Sequence, residues 1–407
     1  MTATDAAFDQ FDPMEQFRDS VAGDVRNPYP MLAEKRRSTP VERIAGLMYG
    51  DGEPGEGFIV YRYDDVQAVL RDNQTFSSSS IRELMGPVMG EWIIVGLDEP
   101  EHRRHRALVS PAFRAKMLAR WEGEVIVGVV DRLIDRFAGR GHAELVRELT
   151  FHFPVQVIAA VLGVPHDRYL EFHQWAVDII NFAADTKRGI ASGQRMKAFF
   201  EPLVEERRVG PREDLISELV TAEIDGERLS DEEIYSFLRL LLPAGAETTY
   251  RATGNFLFAL LTHPEYLARM LGDRDLLVEA FEETVRWEAP LLMTSRSAVV
   301  DTTVAGVDIP AGSLMVVHTG SANHDETRWD RPEEWDPDRE AKPHIAFGVG
   351  PHMCLGMHLA RLEAKVAVER LLERLPDLAV DLDDGDPHIH GEAFRSPTHL
   401  PVRFTPV

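Results

Sequence analysis

Cysteine occurs once in 407 residues, at Cys354. That single thiol excludes an intramolecular disulfide and any multi-cysteine zinc or iron–sulfur site within the chain. Positive charge is also scarce: 44 Lys and Arg stand against 68 Asp and Glu, a net charge of −24 at pH 7. Nucleic acid and anionic membrane are therefore not default partners, since both select for basic surfaces. No apolar run approaches the roughly 18–20 residues that span a bilayer. The opening "MTATDAAFDQFDPMEQF" has neither the basic nor the apolar region of a secretory signal. The expectation is a soluble protein of a reducing cytoplasm. Internal repeats and long linkers are missing too, so the sequence predicts a loose acidic tail over residues 1–20 and one domain over 21–407.

Strand signals are few. "SLMVVHTG" and "DTTVAGVDI" are the clearest, and "GDGEPGEGF" reads as a turn feeding the strand "IVYRY". Helical periodicity dominates elsewhere, as in "RWEGEVIVGVVDRLIDRF" and in "HLARLEAKVAVERLLERLP", which Pro376 closes. A mainly α fold with a small β-rich part follows. Its longest helix starts at "LSDEEIY", where Ser230 and Glu233 form a capping box, and stops before Pro264. About 30 residues at 1.5 Å each give ~45 Å, enough to cross a domain. This helix is apolar on several faces and therefore central. Pro243 and Gly245 predict a kink or local widening in its middle, next to a buried acid and alcohol, Glu247 and Thr248.

The lone thiol lies in "HIAFGVGPHMCLGMHLAR", where Gly348 and Gly350 allow a tight turn and a helix begins after Gly356. A thiolate is favoured at a helix N-terminus by the dipole and the free N–H groups. Several chemistries fit these residues. Cys354 with His352 and His358 could bind zinc, although the spacing matches no usual ligand pattern. Cys354 could be a nucleophile with a histidine base, or a small hydrophobe in a core. A soft thiolate without a second cysteine also suits a single axial bond to haem iron.

The frame Phe347-Gly348-x-Gly-x-His352-x-Cys354-x-Gly356 resembles the haem-binding loop of the cytochrome P450 family of haem-thiolate monooxygenases. Three further stretches resemble that family in the family's own order. "AGAETT" is similar to its oxygen-activation motif, which puts the acid on Glu247 and the alcohol on Thr248. "EETVR" supplies Glu283 and Arg286 of an E-x-x-R pair, with Arg339 of "WDPDR" as third member of a buried charge cluster. "DEPEHRRHRALVSPAF" is similar to the haem-facing helix, with Asp98 as its cap and His102 and Arg106 four apart on one face. The resemblance implies haem b bound through Cys354, with His102, Arg106, Arg296 and His352 on the propionates. Two features depart from the family's pattern: Pro243 before the Ala-Gly pair, and His324 where an arginine is frequent.

The implied activity is insertion of one O2-derived oxygen atom into a hydrophobic small molecule, by hydroxylation or epoxidation. Terpenoid, steroid, fatty acyl and polyketide skeletons all remain open. Substrate contacts are expected in "SSSSIRELMGPVMGEWII", at Ile179–Phe182, Leu240–Ala244 and Leu291–Met293, and at Phe394. Glu247 and Thr248 would deliver protons. The chain has no flavin or ferredoxin segment, so NAD(P)H electrons are expected through a separate ferredoxin and reductase. Arg103, Arg104, His105 and Arg106, with His358, Arg361 and Lys365, form the expected basic docking face of a monomer. The competing expectations are a peroxide-driven or non-redox haem-thiolate enzyme, and a non-catalytic haem or hydrophobic-ligand binding protein.

Overall fold

Apolar residues recur in this chain at three- and four-residue spacing far more often than at two, and the architecture follows that bias. A computed structural model describes residues 25–47, 55–183 and 185–407. The expected tail, 1–20, lies outside the described residues, as does most of the "GDGEPGEGF" turn. The helices that frame the site are α1 (Ser79–Met89), α2 (Glu101–Val109), α3 (His152–Val161), α4 (Asp231–Thr262), α5 (Leu277–Trp287) and α6 (Met357–Arg374).

Helix α4 is the axis of the fold. Its start is fixed by the capping box: Ser230 N–H donates to Glu233 at 2.7 Å, and Glu233 N–H donates back to Ser230 Oγ at 3.4 Å. Such a cap contributes about 1 kcal/mol. The helix then runs 32 residues, buried on all sides, and stops one residue before Pro264, which opens the next helix. Pro243 offers no N–H to the carbonyl of Arg239, yet no widened turn interrupts α4. The expected local widening is therefore absent. Packing on every face, against α3, α5 and α6, holds the helix across the missing bond. Gly245 makes the closest approach possible, since a Cβ there would lie 2.7 Å from the Ile158 side chain of α3.

The β part is a five-stranded sheet in the order β1 (Val41–Leu47), β2 (Gly55–Val60), β5 (Leu314–Val317), β4 (Thr294–Ala298) and β3 (Phe76–Ser77). Strands β2 and β5 are parallel, and β5 meets β4 antiparallel with Met315 opposite Arg296. "DTTVAGVDI" forms a separate hairpin of Thr302–Val304 and Val307–Ile309, turned by Ala305 and Gly306 at positive φ. Alternation along β4 sends Thr294 and Arg296 to one face, toward the site.

The E-x-x-R pair is a buried clamp. Arg286 grips Glu283 with two bonds of 2.7 Å, Arg339 adds a third at 3.1 Å, and Arg286 also donates to the carbonyls of Asn323 and Pro332. This cluster ties α5 to the segment that leads to Cys354. Glu283→Gln removes the charge that two buried guanidiniums share, and a cost of about 3–5 kcal/mol is expected. Urea unfolding of the haem-loaded protein measures it.

Candidate active site

A cavity of about 330 Å³ opens between α1, α2, α4, the end of β4 and the loop before α6. Its walls are aliphatic and aromatic: Ile81, Ile94 and Val95 on one side, Leu240 and Leu241 on α4, and Leu291 and Met293 opposite. These stretches match the expected substrate contacts. Ile179–Phe182 and Phe394 do not line the cavity.

The floor is the loop around Cys354. Gly348 and Gly350 adopt φ of +70° and +80°, and a Cβ on Gly350 would lie 2.8 Å from the carbonyl of Leu70. Both positions therefore require glycine. The turn closes with Cys354 N–H on the Phe347 carbonyl at 2.8 Å, leaving the sulfur enclosed by protein yet open to the cavity. Burial pushes the thiol pKa up, while the Gly356 N–H, Arg106 and Arg361 pull against it. A Cβ on Gly356 would meet nothing within 4 Å, so there is open space beside the loop that carries the sulfur.

One rim carries nitrogen donors. His102 and Arg106 project from the same face of α2, Arg296 comes from β4, and His352 from the loop. The rings of His102 and His352 pack 4.0 Å apart. His102 Nδ1 faces Glu99 at 3.3 Å, while its Nε2 is buried and bonded to nothing in the protein. His352 Nε2 meets Ser78 Oγ at 3.1 Å, and Arg106 donates to the Met353 carbonyl at 2.7 Å. Burial, then His102, Arg296 and Arg106, hold His352 down to about 2. Asp98, expected to cap α2, instead binds Ser78 N–H at 2.8 Å and the Ser77 hydroxyl, and Pro100 takes the N-cap position. Its carboxylate thus positions the segment that supports His352.

The cytochrome P450 family model matches residues 167–394, more than half of the chain. Cytochrome P450 107B1 of Saccharopolyspora erythraea is 36% identical over 390 residues, 91% of this chain and 92% of the relative. The solved structure of CYP109Q5 from Chondromyces apiculatus superposes with a TM-score of 0.84 at 37% identity, covering 94% of this chain and 96% of that one. CYP109E1 from Bacillus megaterium, solved with testosterone, gives 0.83 at 31% identity over 93% and 99%. The chain belongs to the cytochrome P450 family. It is a haem-dependent monooxygenase, and its mainly α architecture is that of the family.

The residues of this P450 fit haem. A soft sulfur stands in a largely apolar cavity, and an orphaned imidazole nitrogen with two guanidiniums lies on one rim, where a carboxylate-bearing edge needs them. Among the described residues, Arg106 has no carboxylate partner of its own.

The acid and alcohol of α4 part company. Thr248 faces the cavity, its hydroxyl donating to the Ala244 carbonyl at 2.8 Å, and Thr249 lines the wall beside it. Glu247 points away and accepts from Arg251 Nε at 2.6 Å. Burial pushes the Glu247 carboxyl up against the pull of Arg251. Arg251 and Thr249 escaped notice in the sequence, although a Glu and an Arg four apart on a helix are a visible pairing signal. Ser78 carries no such signal, because its partner His352 lies 274 residues away.

The expected basic docking face is largely neutralised. Arg104 is drawn off it by Glu227 and Glu233 and the carbonyl of Arg228. Arg361 holds Glu282 in two bonds, and Lys365 meets Glu369 at 3.3 Å. Arg103, with 83% of its side chain exposed, meets Glu99 at 3.3 Å. The cause is composition: with acids in excess, most of these cations find one.

His324 lies in the core rather than at the site, stacked on Tyr29 with centroids 3.7 Å apart. Burial holds His105 and His318 down to about 4. An unfolded histidine titrates near ~6.5, so between that pH and about 4 the unfolded chain binds the extra protons. Stability is therefore complete above the unfolded value and declines as pH falls, by about 1.4 kcal/mol per unit per histidine. Urea midpoints at pH 7 and 5 check this, and His105→Leu is expected to remove about one proton from the slope.

Proposed function

We propose that this P450 hydroxylates or epoxidises a hydrophobic small molecule of steroid or polyketide size, with Cys354 as axial ligand of haem b. One observation carries the reading: the only thiol faces an apolar cavity whose rim gathers nitrogen donors, one of which, His102 Nε2, is bonded to nothing in the protein. CYP109E1 from Bacillus megaterium, solved with testosterone, supports the size class.

When bound, haem supplies O2 activation at an iron made electron-rich by the thiolate. The chain supplies everything around it. Gly356 N–H and Arg106 offset negative charge on the sulfur, and Phe347, Gly348 and Gly356 leave room for a flat ring. His102 Nε2, Arg106, Arg296 and His352 would hold the propionates. Thr248 holds a proton at its hydroxyl on the cavity wall, and Glu247 replenishes it from the protein interior. The apolar walls exclude water and select an apolar substrate. Glu283, Arg286 and Arg339 keep the loop rigid.

Electrons come from NAD(P)H through a reductase and a ferredoxin. The ferredoxin docks beneath Cys354, around Met353, His358 and Arg103, with Lys365 at the edge and Arg104 outside the contact. Since most cations there are already matched, Arg103→Glu is expected to slow reduction only a few-fold. Stopped-flow reduction against ionic strength measures it.

Turnover in isotopically labelled O2 tests the function itself. A product carrying one labelled oxygen atom is expected; product formed only with added peroxide and without the label, or tight ligand binding without turnover, contradicts it. Thr248→Ala is expected to raise peroxide release per electron pair several-fold while substrate affinity holds, and unchanged coupling would remove Thr248 from the relay.

A further inference from the structure

Glu247 is the member of the proposed relay that does not reach the cavity. Its carboxylate is bound by Arg251, one turn on, at 2.6 Å, and both side chains are almost fully enclosed. Arg251 is itself held from elsewhere. Its Nη1 donates to Ser396 Oγ at 3.0 Å, and its guanidinium lies 4.9 Å from the Tyr250 ring and 5.3 Å from the Phe394 ring. Phe394 and Ser396 sit on a segment stitched to the cavity wall. Phe394 forms a β-bridge with Leu291, Leu292 N–H donates to Ala393, and Arg395 N–H donates to Pro290. Leu291 and Pro290 line the cavity.

We infer that Arg251, anchored by Ser396 and flanked by Tyr250 and Phe394, is the positioning residue that sets where Glu247 points and how readily it exchanges its proton. The inference rests on the relay reading of Glu247 and Thr248. A relay acid must both lose and regain a proton, which is fastest when its affinity lies near the working pH. Burial alone keeps a carboxyl protonated, and a guanidinium alone keeps it ionised. Arg251 balances the first with the second. Among the described residues it is the charged group acting on Glu247; Tyr250 beside it is a phenol that burial keeps neutral, and Ser396, which also meets Tyr250, and Phe394 are uncharged. The pairing also averts the carboxylate from Thr248, so proton delivery requires the Arg251 contact to exchange. The C-terminal segment that backs the substrate wall thereby bears on the proton step.

The test compares Glu247→Gln, Arg251→Gln, the double variant, Arg251→Lys and Ser396→Ala in haem-loaded enzyme. Two quantities are read: peroxide released per electron pair, and the pH at which the Glu247 carboxyl stretch titrates in infrared difference spectra, with Glu247→Gln as blank. Arg251→Gln is expected to raise peroxide release several-fold, Ser396→Ala less, and Arg251→Lys to restore most of the coupling. The double variant should leak no more than Glu247→Gln alone, because Arg251 acts through Glu247. Glu247 should titrate at higher pH in Arg251→Gln, since a neighbouring cation is lost. Parental coupling and an unmoved titration in Arg251→Gln overturn the inference, as does a peroxide effect that adds in full to Glu247→Gln. If Arg251→Gln does not fold, Ser396→Ala and Arg251→Lys decide by the same two readouts. If Glu247→Gln itself leaves coupling intact, the relay reading fails separately, and the infrared titration still decides whether Arg251 governs the acid.

Discussion

A sulfur that is to face a metal from inside an apolar cavity must be held by donors that do not cover it. That constraint shapes much of this molecule. The turn at Gly348 and Gly350 passes so close to Leu70 that no side chain fits there, and the bond from Cys354 N–H to Phe347 fixes the thiol's direction. Backbone N–H from Gly356 and the more distant guanidiniums of Arg106 and Arg361 offset charge without filling the space. The buried Glu283–Arg286–Arg339 clamp, remote from the cavity, holds the segment that carries this loop in register.

The same economy appears on the rim. Most cations of this acidic protein are matched by carboxylates within a few ångströms, as Arg104, Arg361 and Lys365 show. Arg106 is an exception, bonding only to a backbone carbonyl, and His102, beside Glu99, keeps an orphaned Nε2. Leaving a buried donor unsatisfied costs about 1–3 kcal/mol. A cofactor carboxylate at His102 Nε2 would recover that cost. The burial of neutral imidazoles at His102 and His352 further ties the site to the pH range in which they stay uncharged.

Much of this was legible in the sequence because it rests on local spacing. The capping box at Ser230, the stop before Pro264, the shared face of His102 and Arg106, and the Glu283–Arg286 pair are all set by helical geometry. What escaped depends on tertiary contact. No pattern shows that Asp98 leaves its helix for Ser78, or that Arg104 turns to Glu233 across the start of α4. Pro243 predicts a kink or a widening; the helix carries no widened turn there, because packing on every side offsets the lost bond. The direction of Glu247 was half visible, since Arg251 stands four residues on, while Ser396 lies 145 residues away.

The Soret band of the reduced carbon monoxide complex reports directly on the atom trans to the ligand. In this P450 it is expected at the strongly red-shifted position that thiolate ligation produces, and in Cys354→Ser, at matched haem content, that position should be lost. Persistence of the red-shifted band without the only sulfhydryl in the chain would contradict ligation by Cys354 and the site built around it.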